Sequence, residues 1–322
     1  MTALTHPPRI ALLGPQRHAI TVTEELDATG LSGRIAVITA GWQEREAEDD
    51  ELQDAVGRRA VNLRLHQRVD RVFAEDSELF AAHRKRQDRL RHLQDLYRLR
   101  LDAYLGAAQA LFHRDDSHAD LLAAERTGAV LALQVLDSHH IRQIQAIHAE
   151  FEEQVRPGER PALRRERQEV LDLLHSCELA AIAGGHVATL LARIRLMGLA
   201  DQLGQRPVVA WSAGAMVLCE RVVLFHDRPP EGPGNAEVLD IGLGLAPGVV
   251  ALPHASKRLR LDDGPRMSCF AQRFAPAMCL VLDPYSRARW DGTAWHLHDG
   301  TWCLDEAGQM ASQDMATTAI FE

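Results

Sequence analysis

Residues 208–220 read VVAWSAGAMVLCE. An apolar run meets a single hydroxyl at Ser212, then small residues, then a helix-forming stretch. A strand that turns sharply into a helix with a nucleophile at its tip has this composition, because the backbone there is tight and its neighbours must be small. Here they are Ala210, Ala213, Gly214 and Ala215. Such a turn lifts the Ser212 hydroxyl above the strand ends, where ligands bind in open α/β sheets. It also aims the Ala213 N–H at a developing oxyanion. A plain small-residue turn that packs a helix on a sheet satisfies the same thirteen residues.

Working outward, the flanks alternate strand and helix. RIALLG at 9–14, GRIAVITAGW at 33–42 and VNLRLHQ at 61–67 read as three buried strands. ELAAIAGG, ending at Gly184-Gly185, reads as a strand before the helix HVATLLARIRLMGLADQLG. GVVALPH and AMCLVLD are two more, and TAWHLHDGTWCLD reads as a closing hairpin with Asp299-Gly300 at its turn. This rhythm predicts an α/β fold, a mostly parallel sheet with helices on both faces.

Between these parts the period changes. Leu90, Leu93, Tyr97, Leu101, Tyr104, Ala108 and Leu111 recur at steps of three and four, as do Leu133, Leu136, His140, Ile144, Ile147 and Phe151. RPGERP breaks the second stripe, and ALRRERQEVLDLLH leads back to a strand. The organisation expected is a discontinuous α/β catalytic domain, 1–67 and 176–322, with a helical insertion at 68–175. The insertion is expected to act as a lid or as the contact of a homodimer.

Composition narrows the function. The 322 residues carry a net charge of −9, with no basic excess for nucleic acid. No apolar run reaches the roughly 18–20 residues of a membrane span. The start of the chain is unlike a secretory signal. Five scattered cysteines without a CxxC fit reduced thiols in a cytoplasm and neither a disulfide framework nor a zinc site. His113, His118, His139, His140 and His148 fall on or near the helical stripes, where packing is the commoner role, so no metal and no cofactor is expected.

A serine hydroxyl needs a base, and the base an orienting acid. His254 ends GVVALPH at the same predicted sheet edge as Ser212. Asp227 follows the serine by fifteen residues, with His226 beside it as a weaker alternative base. The free N–H groups of the Gly184-Gly185 turn can form the other half of an oxyanion hole. GxGxxG is absent, which argues against a dinucleotide.

Four stretches together resemble the peptidase E and cyanophycinase family of serine peptidases. AIAGGHVATLLARIRLMGL and PVVAWSAGA are similar to that family's Gly-Gly-Asn turn and Ser-Ala-Gly-Ala elbow, and GLGLAPGVVALPHASKRLR to the stretch around its His. GRIAVITAG and AVGRRAVNLRL fit its second and third strands more loosely. The resemblance covers roughly 9–67 and 177–303. It implies a class I glutamine amidotransferase-like fold and a Ser–His–acid apparatus on Ser212, His254 and Asp227, with Glu231 as the cyanophycinase-type alternative acid. It implies an oxyanion hole of Gly185 and Ala213, and substrate contacts from Gly184, His186, Arg258 and Arg260. The implied substrates are peptides or amides with Asp or β-aspartyl linkages. The sequence departs from the family at His186 for Asn, Ala210 for Gly, Ala255 for an aromatic residue, and Asp283-Pro284 for an Asp-Glu pair. These departures sit where substrate is read. The competing expectation is an inactive scaffold that uses the helical insertion to bind a protein.

Overall fold

The computed structural model describes residues 10–17, 19–227 and 234–312. Its centre is a seven-stranded sheet. The parallel strands are β1 (Ile10–Leu13), β2 (Ile35–Ile38), β3 (Ala60–Asn62), β4 (Leu179–Ile182) and β5 (Val208–Trp211). Their spatial order is 1-5-4-2-3, and two antiparallel strands extend the sheet beyond β1. Alternate residues of each inner strand enter different cores. Ile10, Leu12, Ala36 and Ile38 face one, and Ala11, Leu13, Ile35 and Val37 the other. Both faces are covered, which is why these strands read as continuous apolar runs rather than alternating ones.

On one face lie α1 (Val22–Ala28) and α2 (Asp50–Ala55), which contribute Val22, Leu26 and Leu52. On the other, the chain between β3 and β4 forms α3 (Leu65–Glu75), α4 (Ser77–Phe112), α5 (Ala119–Val155) and α6 (Pro161–His175). The helix α3 packs on α6 and on α7 (Val187–Leu196), so both α3 and α6 belong to the sheet's helical layer. The long pair α4 and α5 is an antiparallel hairpin with 36 and 37 residues per arm, about 54 Å each at 1.5 Å per residue. Its buried seam includes Tyr97, Leu101, Leu105, Ala108, Leu133, Leu136 and Phe151, and these are continuous with the core of the sheet. Tyr104, expected on the seam, is exposed, and its neighbour Leu105 is inside. Among the described residues no helix is long and apolar enough to cross a membrane.

After α8 (Ala200–Gly204), β5 and the short α9 (Ala213–Leu218), a ribbon of β6 (Arg221–Leu224) and β7 (Glu237–Ile241) packs against the hairpin. A second sheet follows, with β8 (Val249–Pro253) parallel to β9 (Met278–Leu282); α10 (Ala255–Arg258) and α11 (Gly264–Phe274) lie between them. The C-terminal segment corrects the hairpin reading. β10 (Arg287–Trp290) and β11 (Trp295–Leu297) pair with each other at the edge of the large sheet, whereas β12 (Trp302–Leu304) pairs with β9, and β13 (Met310–Ala311) with β12. Asp299-Gly300 does form a turn, with Gly300 at φ 80°, but the turn passes the chain between sheets. An Asp-Gly pair specifies a turn and leaves open which strands it joins.

Candidate active site

Ser212 follows the last residue of β5 with φ 52° and ψ −122°, a conformation costly for any residue with a side chain. The chain tolerates it because the turn sits directly on β4. A methyl on Gly214 would lie 2.2 Å from the Ile182 carbonyl oxygen, and Ala213 and Ala215 are buried beside it. His254 follows the last residue of β8 and is also left-handed, with φ 59° and ψ 33°. Its N–H donates to the Leu282 carbonyl of β9 at 3.0 Å.

Strand register places these two residues at one edge. Trp211 pairs with Leu13, so Gly14 lies beside Ser212 at the end of β1. Gly14 abuts the second sheet so closely that a methyl there would meet the Asp283 carbonyl oxygen at 1.9 Å. Asp283 follows Leu282, which pairs with Pro253, and His254 comes next. Ser212 and Gly14 thus follow the paired ends of β5 and β1, His254 and Asp283 those of β8 and β9, and the two sheets meet where Gly14 abuts Asp283. In addition α9 packs on β8. Among the described residues neither Ser212 Oγ nor the His254 ring has a hydrogen bond to the protein. Free enzymes commonly hold the catalytic hydrogen bond long.

The Gly-Gly turn closes over the serine. A methyl on Gly184 would stand 2.8 Å from Ser212 Cβ. Gly185 has φ 119° and lies against Gly41, whose carbonyl accepts the His186 N–H at 2.7 Å. The Gly185 N–H has no acceptor among the described residues, and the Ala213 N–H opens a helix and has none within it. His186 is exposed and caps α7: its Nδ1 accepts from the Thr189 N–H at 3.2 Å and lies 2.9 Å from the Thr189 hydroxyl. Accepting at Nδ1 places the neutral ring's proton on Nε2.

The carboxylates are arranged differently from expectation. Asp227 makes no hydrogen bond to His254. Its Oδ2 accepts from Arg266 Nε at 3.0 Å and from the Arg260 N–H at 3.1 Å, and its Oδ1 accepts from Arg266 Nη2. Its own N–H donates to the Arg258 carbonyl at 2.6 Å. The carboxylate is held by the chain just after α10 and by the first turn of α11, which turns it away from the imidazole. Glu231 lies outside the described residues. Of the two arginines, Arg260 is exposed and pairs with Asp263 at 3.5 Å, whereas Arg258 is half-buried and has no ion-pair or hydrogen-bond partner for its guanidinium among the described residues. Burial holds the pKa of Arg258 below the usual arginine range. Burial, then Arg258 and Lys257, hold His254 below the ordinary imidazole value, and Asp283 opposes them. Cys219, the cysteine nearest the elbow in sequence, is fully buried, and desolvation pushes its thiol up to about 12.

Three residues here escaped the sequence reading. Arg266 claims Asp227. Gln43 bonds Thr189 Oγ1 at 3.1 Å from a backbone at φ 58°, ψ −125°, nearly that of Ser212. Asp283 stands beside His254. The helical histidines are structural: His140 stacks on Tyr97 at 3.9 Å and bonds Gln94, His148 bonds Asp240, and His113 bonds Asp263.

Comparison with known proteins bears on this geometry. The model of peptidase family S51 matches residues 141–282. No curated protein matches the chain. A solved structure described as a peptidase from an acI-B1 Actinobacterium aligns over 97% of both chains at 12% identity, with a TM-score of 0.48. The family match spans the Gly-Gly turn, the strained serine and the left-handed histidine, so this part of the chain is similar to peptidase family S51, and the match supports a serine-type peptidase.

Proposed function

We propose that this serine peptidase cleaves peptide or amide bonds on the carbonyl side of a residue bearing a free carboxylate, Asp or β-aspartyl in type. The observation that carries the reading is Arg258, a half-buried cation one helical turn beyond His254 that has no anion partner among the described residues. An unpaired, partly desolvated guanidinium favours a bidentate carboxylate partner.

In this reading His254 takes the Ser212 proton as Oγ attacks the scissile carbonyl. The carbonyl π pair moves to oxygen, and the N–H groups of Gly185 and Ala213 donate hydrogen bonds to that oxyanion. Collapse breaks the C–N bond, His254 returns the proton to the leaving amine, and an acyl-serine remains. Water then adds by the same route and releases the acid. Gly184 leaves room for the acyl group, and His186 presents Nε2–H at the mouth. Asp227 acts on this site by holding the 258–260 segment, and with it Arg258, in place.

A panel of α- and β-aspartyl dipeptides with neutral controls tests the assignment, read as released amine by mass spectrometry. Cleavage of the acidic substrates is expected, and Arg258→Gln is expected to lower kcat/KM for them about 30-fold or more, since breaking a buried charge pair costs about 2 kcal/mol or more. A variant that loses no preference for the acidic substrates removes Arg258 from recognition.

The pH profile is a second expectation. The base must be neutral to accept a proton, so activity falls as pH drops through the His254 pKa. Because that pKa is lowered in the folded protein, the acid limb of kcat/KM lies below about pH 6.5, the unperturbed histidine value. Arg258→Gln removes a neighbouring positive charge and moves the limb upward. An acid limb at or above the ordinary histidine value refutes the assignment of His254 as base.

A further inference from the structure

We propose that Asp283, rather than Asp227, is the carboxylate that positions the His254 imidazole and offsets its charge. The inference rests on the reading of His254 as the base. Two geometric observations support it. First, His254 and Asp283 are the first residues beyond two paired parallel strands, joined by the His254 N–H to Leu282 carbonyl bond, so their side chains leave neighbouring strand ends. Second, the charge of Asp227 is already taken up: both its oxygens accept from the Arg266 guanidinium, whereas those of Asp283 accept from the neutral Ser256.

Asp283 is itself held in place. Both its oxygens lie 3.2 Å from the Ser256 N–H, Oδ2 accepts a short bond from the Ser256 hydroxyl, and its own N–H donates to Ser286 Oγ at 3.1 Å. Ser256 lies in the first turn of α10, two residues after His254, so the carboxylate is clamped to the helix that His254 opens. A charge argument leads to the same residue. The charges that reach His254 are Arg258 and Lys257 on its own helix and Asp283 just beyond β9. When the imidazole takes the serine proton it becomes a third cation beside two others. The carboxylate that counters this is Asp283, and without it proton transfer from Ser212 runs against like-charge repulsion.

The test is an NMR titration of the His254 ring in the full chain without substrate, its signal assigned by difference from His254→Gln. Asp283→Asn is expected to lower the titration midpoint of His254, and Asp227→Asn not to lower it. Ser256→Ala keeps the carboxylate and removes one of its donors, so it should raise the midpoint. Opposite shifts from two contacting residues are an outcome that loss of structure does not produce. In turnover, Asp283→Asn should lower kcat by about 10²- to 10⁴-fold, as expected when a histidine loses its orienting acid, with KM changed little. A midpoint lowered by Asp227→Asn and not by Asp283→Asn overturns the proposal, as does a midpoint that ignores Ser256→Ala. Since the titration needs no turnover, it stands whether or not the aspartyl panel is cleaved.

Discussion

Ser212→Ala is expected to lower kcat on any cleaved substrate by about 10⁴- to 10⁶-fold, the range seen when a serine peptidase loses its nucleophile. The fold should survive, because the methyl occupies space the serine already fills and Ser212 Oγ makes no hydrogen bond among the described residues. Unfolding free energy should therefore stay within about 0.5 kcal/mol of the parent. A companion variant separates chemistry from strain. At φ 52°, ψ −122° glycine alone is relaxed, so Ser212→Gly should be as inactive as the alanine variant yet more stable by about 1 kcal/mol, the lower end of the cost of such a conformation. Urea unfolding and amine release on the same three proteins give both numbers. Residual cleavage within tenfold of the parent in either variant would mean that the acyl-enzyme forms elsewhere or not at all.

The contrast between those variants shows what a sequence can and cannot carry. The elbow was readable because a strained turn on a sheet excludes side chains, and exclusion leaves a mark: Ala210, Ala213, Gly214 and Ala215 are small together. The parallel strands were readable for a similar reason, since burial on both faces leaves continuous apolar runs such as Ile35–Ile38 and Leu179–Ile182. The direction of a carboxylate leaves no such mark. Asp227 stands at a plausible spacing from Ser212, but its orientation depends on Arg266, thirty-nine residues on in a helix that spacing did not connect to it. Gln43 was equally silent, because no residue type marks a positive φ there: glutamine holds φ 58° two residues after Gly41, which packs under the Gly184-Gly185 turn. In TAWHLHDGTWCLD the turn was found and its partners were not, because strand pairing across two sheets is a tertiary choice.

The largest effect on stability is expected far from the serine, at Asp137. This residue falls between Leu136 and His140 on the α5 stripe, inside the core, where it meets Arg273 of α11; both side chains are about 98% buried or more. Arg273 donates through Nε to Asp137 Oδ2 and through Nη2 to Oδ1, each at 2.8 Å. The Tyr97 hydroxyl of α4 donates to Oδ1 at 2.7 Å and accepts from Arg273 Nη2, and Arg273 Nη1 reaches the Ala236 carbonyl ahead of β7. One ion pair thus joins both arms of the hairpin to α11 and to the ribbon. Removing the acid leaves a buried guanidinium unpaired, so Asp137→Ala is expected to cost about 3–5 kcal/mol in urea unfolding. Asp137→Asn should cost nearly as much, because an amide preserves shape without neutralising the charge. The double variant Asp137→Leu, Arg273→Met should recover most of the loss, since an apolar pair of similar volume replaces a desolvated ion pair at little net cost. That recovery distinguishes an unpaired charge from a simple packing defect: if the double variant is as unstable as Asp137→Ala, the penalty lies in lost shape. The consequence extends to the site. The first turn of α11 supplies Arg266 to Asp227, and its N-cap Asp263 binds His113 just beyond α4. A hairpin loosened at Asp137 should therefore also loosen the segment that carries Arg258, and at temperatures where the Asp137→Asn variant is still folded, KM for acidic substrates should rise before kcat falls.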